Sequence, residues 1–232
     1  SINYEVMTVI TLYRKLIENA DGVFIPADNG SVTPTTVVAR AAYEVFLQIE
    51  YMFKEEKEIS RKALSYYSTW LYEEIVFMEQ QLKDTSKTLL PKEVLLAKLK
   101  SNNELLNNRF PSFKEEINRT KKRLKIKHSP KWYSLYNGPK NLGQLSKETS
   151  VKEAHAILYK GMSAEAHGIK SITNISKQSK ELDPIRIDDI SQLPIGFVGS
   201  FITSSTIKIV KKYLPNEFND CKQVLTAILN SH

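Results

Sequence analysis

Apolar residues recur every three or four positions along most of this chain, while the every-second-residue alternation of a half-buried strand is scarce. A 3.6-residue repeat puts such positions on one face of a helix, so each long segment carries a stripe that must be buried against another helix. The pattern predicts an all-α fold, a helical bundle of about seven or eight helices with an irregular loop after residue 169.

Local signals predict where the helices begin and end. A first helix covers Asn3 to Ala20, with Tyr4, Met7, Ile10 and Leu16 inward, and stops at Asp21-Gly22. Thr33-Pro34 reads as an N-cap followed by proline at the first helical position, where its missing N–H costs nothing; this second helix runs to about Glu58. Ser60 caps a third reaching Leu82, Pro91 opens a fourth ending near Asn108, and Pro111-Ser112 starts a fifth. Ser129-Pro130 and Asn137-Gly138 mark a break. Ser150 and Glu153 have the spacing of a capping box that starts another helix. Two closing helices span 194–213 and 216–230. The expected organisation is a single all-α domain, 1–232, in which 84–137 is a protruding or inserted helical segment.

Composition narrows the class. With 41% hydrophobic and 25% charged residues, the 232-residue chain has the make-up of an ordinary globular protein with a real core. A single cysteine, Cys221, excludes an internal disulfide framework and fits a reducing compartment. One Cys and 4 His cannot build a four-ligand zinc site at these spacings, and no cofactor or metal is expected. The uncharged stretch 191–207 is too short and too broken by polar residues to span a bilayer, and reads as a buried helix. No membrane association is expected. The start Ser-Ile-Asn-Tyr-Glu lacks a signal-peptide pattern, and a cytoplasmic location is the expectation. The net charge of +7 admits an anionic partner without naming one.

Three sets of residues are candidates for chemistry. Tyr159, Ser163 and His167 stand four apart and form one slightly drifting helical stripe ending in a titratable group. His155 extends it by a turn, with a drift of about 40° that carries it toward the rim. Arg40 and Glu44 are also four apart, in a helix whose flanks (Val37, Val38, Ala39, Ala41, Ala42, Phe46) are apolar. A guanidinium in such company needs partners, because a desolvated lone charge is costly. A buried Arg40–Glu44 pair reaching the Tyr/Ser/His helix is therefore expected, whether for catalysis or for architecture. The third set is a basic run, Arg119, Lys121, Lys122, Arg123, Lys125, Lys127 and Lys131, followed by Trp132-Tyr133. Phosphate-neutralising cations flanked by stacking aromatics suit a nucleic-acid surface, while a solvated helix end would also carry cations. No Gly-x-Ser-x-Gly elbow, P-loop or dinucleotide turn is present.

The combination of Arg40-x3-Glu44 with Tyr159-x2-Met162-Ser163-x3-His167 resembles a bacterial domain-of-unknown-function family. The likeness covers about residues 35–55 and 150–170, and extends to HEPN-like helical proteins of toxin and phage-defence settings. That resemblance implies metal-independent RNA cleavage, with Arg40 on the phosphate, His167 as general acid or base, and Tyr159, Ser163 and Glu44 positioning them. Arg123-x4-His128 has the spacing of the HEPN Arg-x4–6-His motif, but Leu124 follows the Arg and Ser129-Pro130 ends the helix, so it reads as coincidence. The partners this reading allows are RNA, a second copy of the chain or another protein. The competing reading is a non-catalytic helical interaction or oligomerisation module whose polar cluster fixes helix register.

Overall fold

The computed structural model describes residues 3–83, 90–152, 155, 159, 161–163, 186 and 193–230. Eight α-helices and no strand are found among them: α1 (Tyr4–Asp28), α2 (Val32–Met52), α3 (Ile59–Lys83), α4 (Lys92–Arg109), α5 (Phe113–Leu124), α6 (Leu142–Lys147), α7 (Leu193–Tyr213) and α8 (Phe218–Asn230). Residues 155, 159 and 161–163 are helical as well. The all-α expectation holds. No described helix is long and apolar enough to cross a membrane. The loop expected after residue 169 and the Glu153 half of the capping box lie outside the described residues.

The chain divides into two compact units. One comprises Ser1–Thr8 and Glu55–Leu145, and therefore contains the segment expected to protrude; the other comprises Val9–Lys54 and Ser146–His232. In the first, α3, α4 and α5 close around Leu71, Ile75, Leu106, Phe113, Ile117 and Leu135. Proline placed two of these helices as expected, since Pro91 is the N-cap of α4 and Ser112, after Pro111, is the N-cap of α5.

In the second unit α2 packs against α7, with Phe46 and Phe201 stacked at 4.4 Å between ring centroids. Tyr43, Leu47 and Met52 of α2 and Val198 of α7 are fully buried. The uncharged 191–207 stretch thus supplies a core helix over its described part.

Four expectations fail in α1 and α2, the first being the end of α2, which falls at Met52 rather than near Glu58. Asp21-Gly22 does not end α1. A Cβ at position 22 would stand 3.1 Å from Val38 Cγ1, so Gly22 serves close helix packing rather than termination. The helix ends instead at Asp28, and the turn after it closes at Gly30, whose φ of 70° suits glycine, with Gly30 N–H donating to the Ala27 carbonyl and Ser31 N–H to the Pro26 carbonyl. The inward face of α1 is Val9, Leu12, Leu16, Ala20 and Val23, leaving Met7 and Ile10 exposed. Ser31, two residues before the expected Thr33, is the N-cap of α2, and Pro34 still falls in the first turn, where no carbonyl needs its N–H.

Candidate functional site

Three of the residues singled out in the sequence come together in the second unit. The Arg40 Nε donates to Glu44 Oε1 at 3.2 Å, and Nη2 donates to the Tyr159 hydroxyl at 2.9 Å. The guanidinium carbon also lies 4.8 Å from the Tyr159 ring centroid, within cation–π range. Arg40 and Glu44 keep 20% and 37% of their side-chain surface exposed, so the cluster opens to solvent. A pair this exposed adds little stability by itself.

Two further groups complete the cluster. His155 stacks on Tyr159 at 5.1 Å between centroids and 13° between planes. Its Nδ1 lies 2.9 Å from the hydroxyl of Tyr43, on the turn of α2 after Arg40. Burial holds the His155 imidazole below its ordinary 6.5, favouring the neutral ring, and pushes the Tyr43 hydroxyl well above its usual range, keeping it protonated. Either partner can donate in this bond. In the tautomer with hydrogen on Nδ1, the ring donates to the Tyr43 oxygen and Nε2 keeps a lone pair able to accept a proton.

His155 is thus central rather than at the rim. α2 meets the Tyr/Ser/His stripe at its N-terminal end, around 155 and 159, where the drift argument placed the edge. Ser163 is half-buried one turn further on, and His167 lies outside the described residues.

The protonation of His155 has a measurable consequence. A His whose folded pKa is depressed costs nothing while both states are neutral. The folded state then loses stability as pH falls from the ordinary His value toward the depressed one, because the unfolded chain binds the proton first. The melting temperature of the wild type should therefore fall more steeply below about pH 6.5 than that of His155→Gln. Parallel pH profiles would contradict this placement of His155.

A residue that sequence reading missed lies further along α2. Glu50, whose side chain is 2% exposed, accepts from Lys208 Nζ at 2.6 Å, Ser150 Oγ at 2.8 Å and Ser204 Oγ at 3.1 Å. It joins α2, the turn at residue 150 and α7, an architectural rather than an accessible arrangement. Its signal was available: Glu50 sits between Ile49 and Tyr51, the same apolar flanking that marks Arg40.

The basic run belongs to the first unit, and the fold uses part of it. Arg119 pairs with buried Glu116 at 3.1 Å, while Glu116 also accepts from Thr120 and from the Tyr136 N–H. Arg123 donates to the carbonyls of Ser134 and Gly138, and Lys121 lies over the Tyr72 ring. Lys122, Lys125, Lys127 and Lys131 are exposed. The aromatics expected to stack on bases are not at the surface. Trp132 is 6% and Tyr133 9% exposed, with Trp132 packed edge-on against Tyr66 of α3. α5 ends at Leu124, with Lys125 in the left-handed region, so Arg123 and His128 do not share a helix face. Among the described residues no three His, Cys, Asp or Glu side chains group so as to hold a metal ion.

Residues 6–182 match a family of unknown function, DUF5677, and the chain belongs to that family. The match runs through both the Arg40–Glu44 helix and the Tyr/Ser/His stripe. Neither a curated protein nor a solved structure matches the chain.

Proposed function

We propose that this protein is HEPN-like and cleaves RNA without a metal ion, in a toxin or phage-defence setting, at the Arg40–Tyr159–His155 cluster. The observation that carries the proposal is that a solvent-reaching guanidinium and an imidazole held toward its neutral form both contact one tyrosine, Tyr159. Metal-independent cleavage uses the ribose 2′-hydroxyl as internal nucleophile. One proton leaves that hydroxyl, and one must reach the departing 5′-oxygen. His155 Nε2 takes the first, Arg40 stabilises the charge that develops on the phosphoryl oxygens, and Glu44 and Tyr159 hold Arg40 in place. His167 is the donor the stripe provides for the second proton, with Ser163 between. The test uses purified protein, a mixed-sequence RNA and EDTA, with His155→Ala and His167→Ala variants of checked fold. The proposal requires EDTA-resistant cleavage that both variants lose.

RNA contact by exposed lysines belongs to the same reading. Log affinity should fall linearly with log salt, and changing Lys122, Lys125, Lys127 and Lys131 to Gln should flatten the slope by about 0.7 per lost phosphate contact on single-stranded RNA. An unchanged slope would remove these lysines from the proposal.

The register-fixing module remains the second reading, favoured by the bonds Arg40 makes to Glu44 and Tyr159 within the fold. It predicts changes in melting temperature or association for Arg40→Met, with no cleavage to lose.

A further inference from the structure

The outward face of α1 is apolar where a solvent-facing helix is ordinarily polar. Ile10, Ile17 and Phe24 are 55%, 45% and 37% exposed and stand seven residues apart. Seven residues make almost two helical turns, so the three side chains form one nearly straight row about 20 Å long. A separate face of the same helix, at Leu12, Leu16, Ala20 and Val23, about 100° round from the row, is the buried one, so the row is not part of the core. Isolated exposed apolar residues are ordinary, whereas a row in heptad register is the kind of seam by which one helix packs on another.

The charges along this row select its partner. Arg14 and Lys15 precede Ile17, Glu18 and Asp21 follow it, and all four are exposed. Laid antiparallel on a copy of itself about a two-fold axis at Ile17, the helix opposes residues equidistant from that centre. Ile10 then meets Phe24 of the partner subunit, and Ile17 meets its own counterpart. Arg14 and Asp21 flank the row on the same side of the helix, so each Arg14 falls beside Asp21 of the partner subunit. A parallel arrangement would leave Arg14 and Asp21 on opposite flanks of the pair, facing no charge of the partner. The existing Arg14–Glu18 and Lys15–Glu18 contacts, at 3.0 and 3.5 Å, are exposed pairs that rearrange at little cost.

We propose that a second copy of this chain docks antiparallel on α1 through Ile10, Ile17 and Phe24, its orientation set by Arg14 against Asp21 of the partner subunit. The interface is isologous, with each pairing made twice. A single helix pair of this length buries less than the roughly 1,200 Å² of a stable interface, so the dimer is weak and salt-sensitive.

Sedimentation velocity of the full chain at low salt tests this over a rising concentration series. The wild type should dimerise with concentration, and Ile17→Asp should weaken the dimer about tenfold or more, because the new carboxylates meet at the two-fold axis. Arg14→Glu and Asp21→Arg should each weaken self-association, since each sets like charges opposite one another twice. Mixed in equal amounts, the two single variants should recover dimers, because every altered side chain then faces an opposite charge. All three positions are exposed, and circular dichroism checks that each variant is folded. A wild type that stays monomeric throughout, an Ile17→Asp variant that associates as well as wild type, or a mixture that recovers nothing would each overturn the proposal.

Discussion

Replacing Arg40 with Ala should lower RNA cleavage by about 10²- to 10³-fold, the usual loss when one positioned donor to a developing oxyanion is removed. The fold should survive. Glu44 is 37% exposed and can turn to water, and Tyr159 is only half-buried, so the stability cost should be near 1 kcal/mol. Arg40→Lys should not restore the rate. An ammonium has neither the planar fork that bonds Glu44 and Tyr159 together nor the flat face that lies over the tyrosine ring. Single-turnover cleavage of a labelled RNA by folded variants measures both effects. Undiminished cleavage by Arg40→Ala, with a lowered melting temperature, would assign the cluster to helix register instead.

The second large effect concerns stability. Glu50 is 2% exposed and bonds Lys208, Ser150 and Ser204. Lys208→Met leaves its carboxylate buried with two hydroxyl donors and no cation, which should cost about 3 kcal/mol. For a chain of this size that is roughly 6–12 °C in melting temperature. Glu50→Met alone should cost less, about 2 kcal/mol, because Lys208 is 32% exposed and its ammonium can reach water. The double variant Glu50→Met/Lys208→Met should recover much of the loss, since it leaves no unpaired charge and fills the space with apolar groups. Thermal or urea unfolding of the four proteins completes the cycle. A neutral Lys208→Met, or costs that simply add, would show that the pair is not electrostatically coupled.

What the sequence disclosed follows from how local each determinant is. The all-α class and the starts of α4 and α5 are written in apolar spacing and in Pro91 and Pro111, which act within a turn or two. The end of α1 was misread because glycine serves two purposes. Gly22 gives room to Val38, a contact between helices that no local pattern reports, while Gly30 supplies the left-handed turn.

The candidate site divides in the same way. Arg40 and Glu44 were legible because charges amid apolar flanks demand partners, and Tyr159 proved to be one. His155 was undervalued because a stripe on one helix does not reveal where the facing helix crosses it. Tyr43 fixes that crossing. Trp132 and Tyr133 show the converse error, since aromatics beside a basic run look like a stacking surface until Tyr66 is seen to bury one of them.

Product analysis in EDTA, with one oligonucleotide as all-ribose and again with 2′-deoxyribose at every position, separates attack by the ribose 2′-hydroxyl from every other route. Wild-type protein should cut only the ribose form and leave 2′,3′-cyclic phosphate ends, and Arg40→Ala and His155→Ala should each lose nearly all of those products. Cleavage of the deoxy form, cleavage that both variants retain, or no cleavage of either oligonucleotide would contradict the 2′-hydroxyl mechanism.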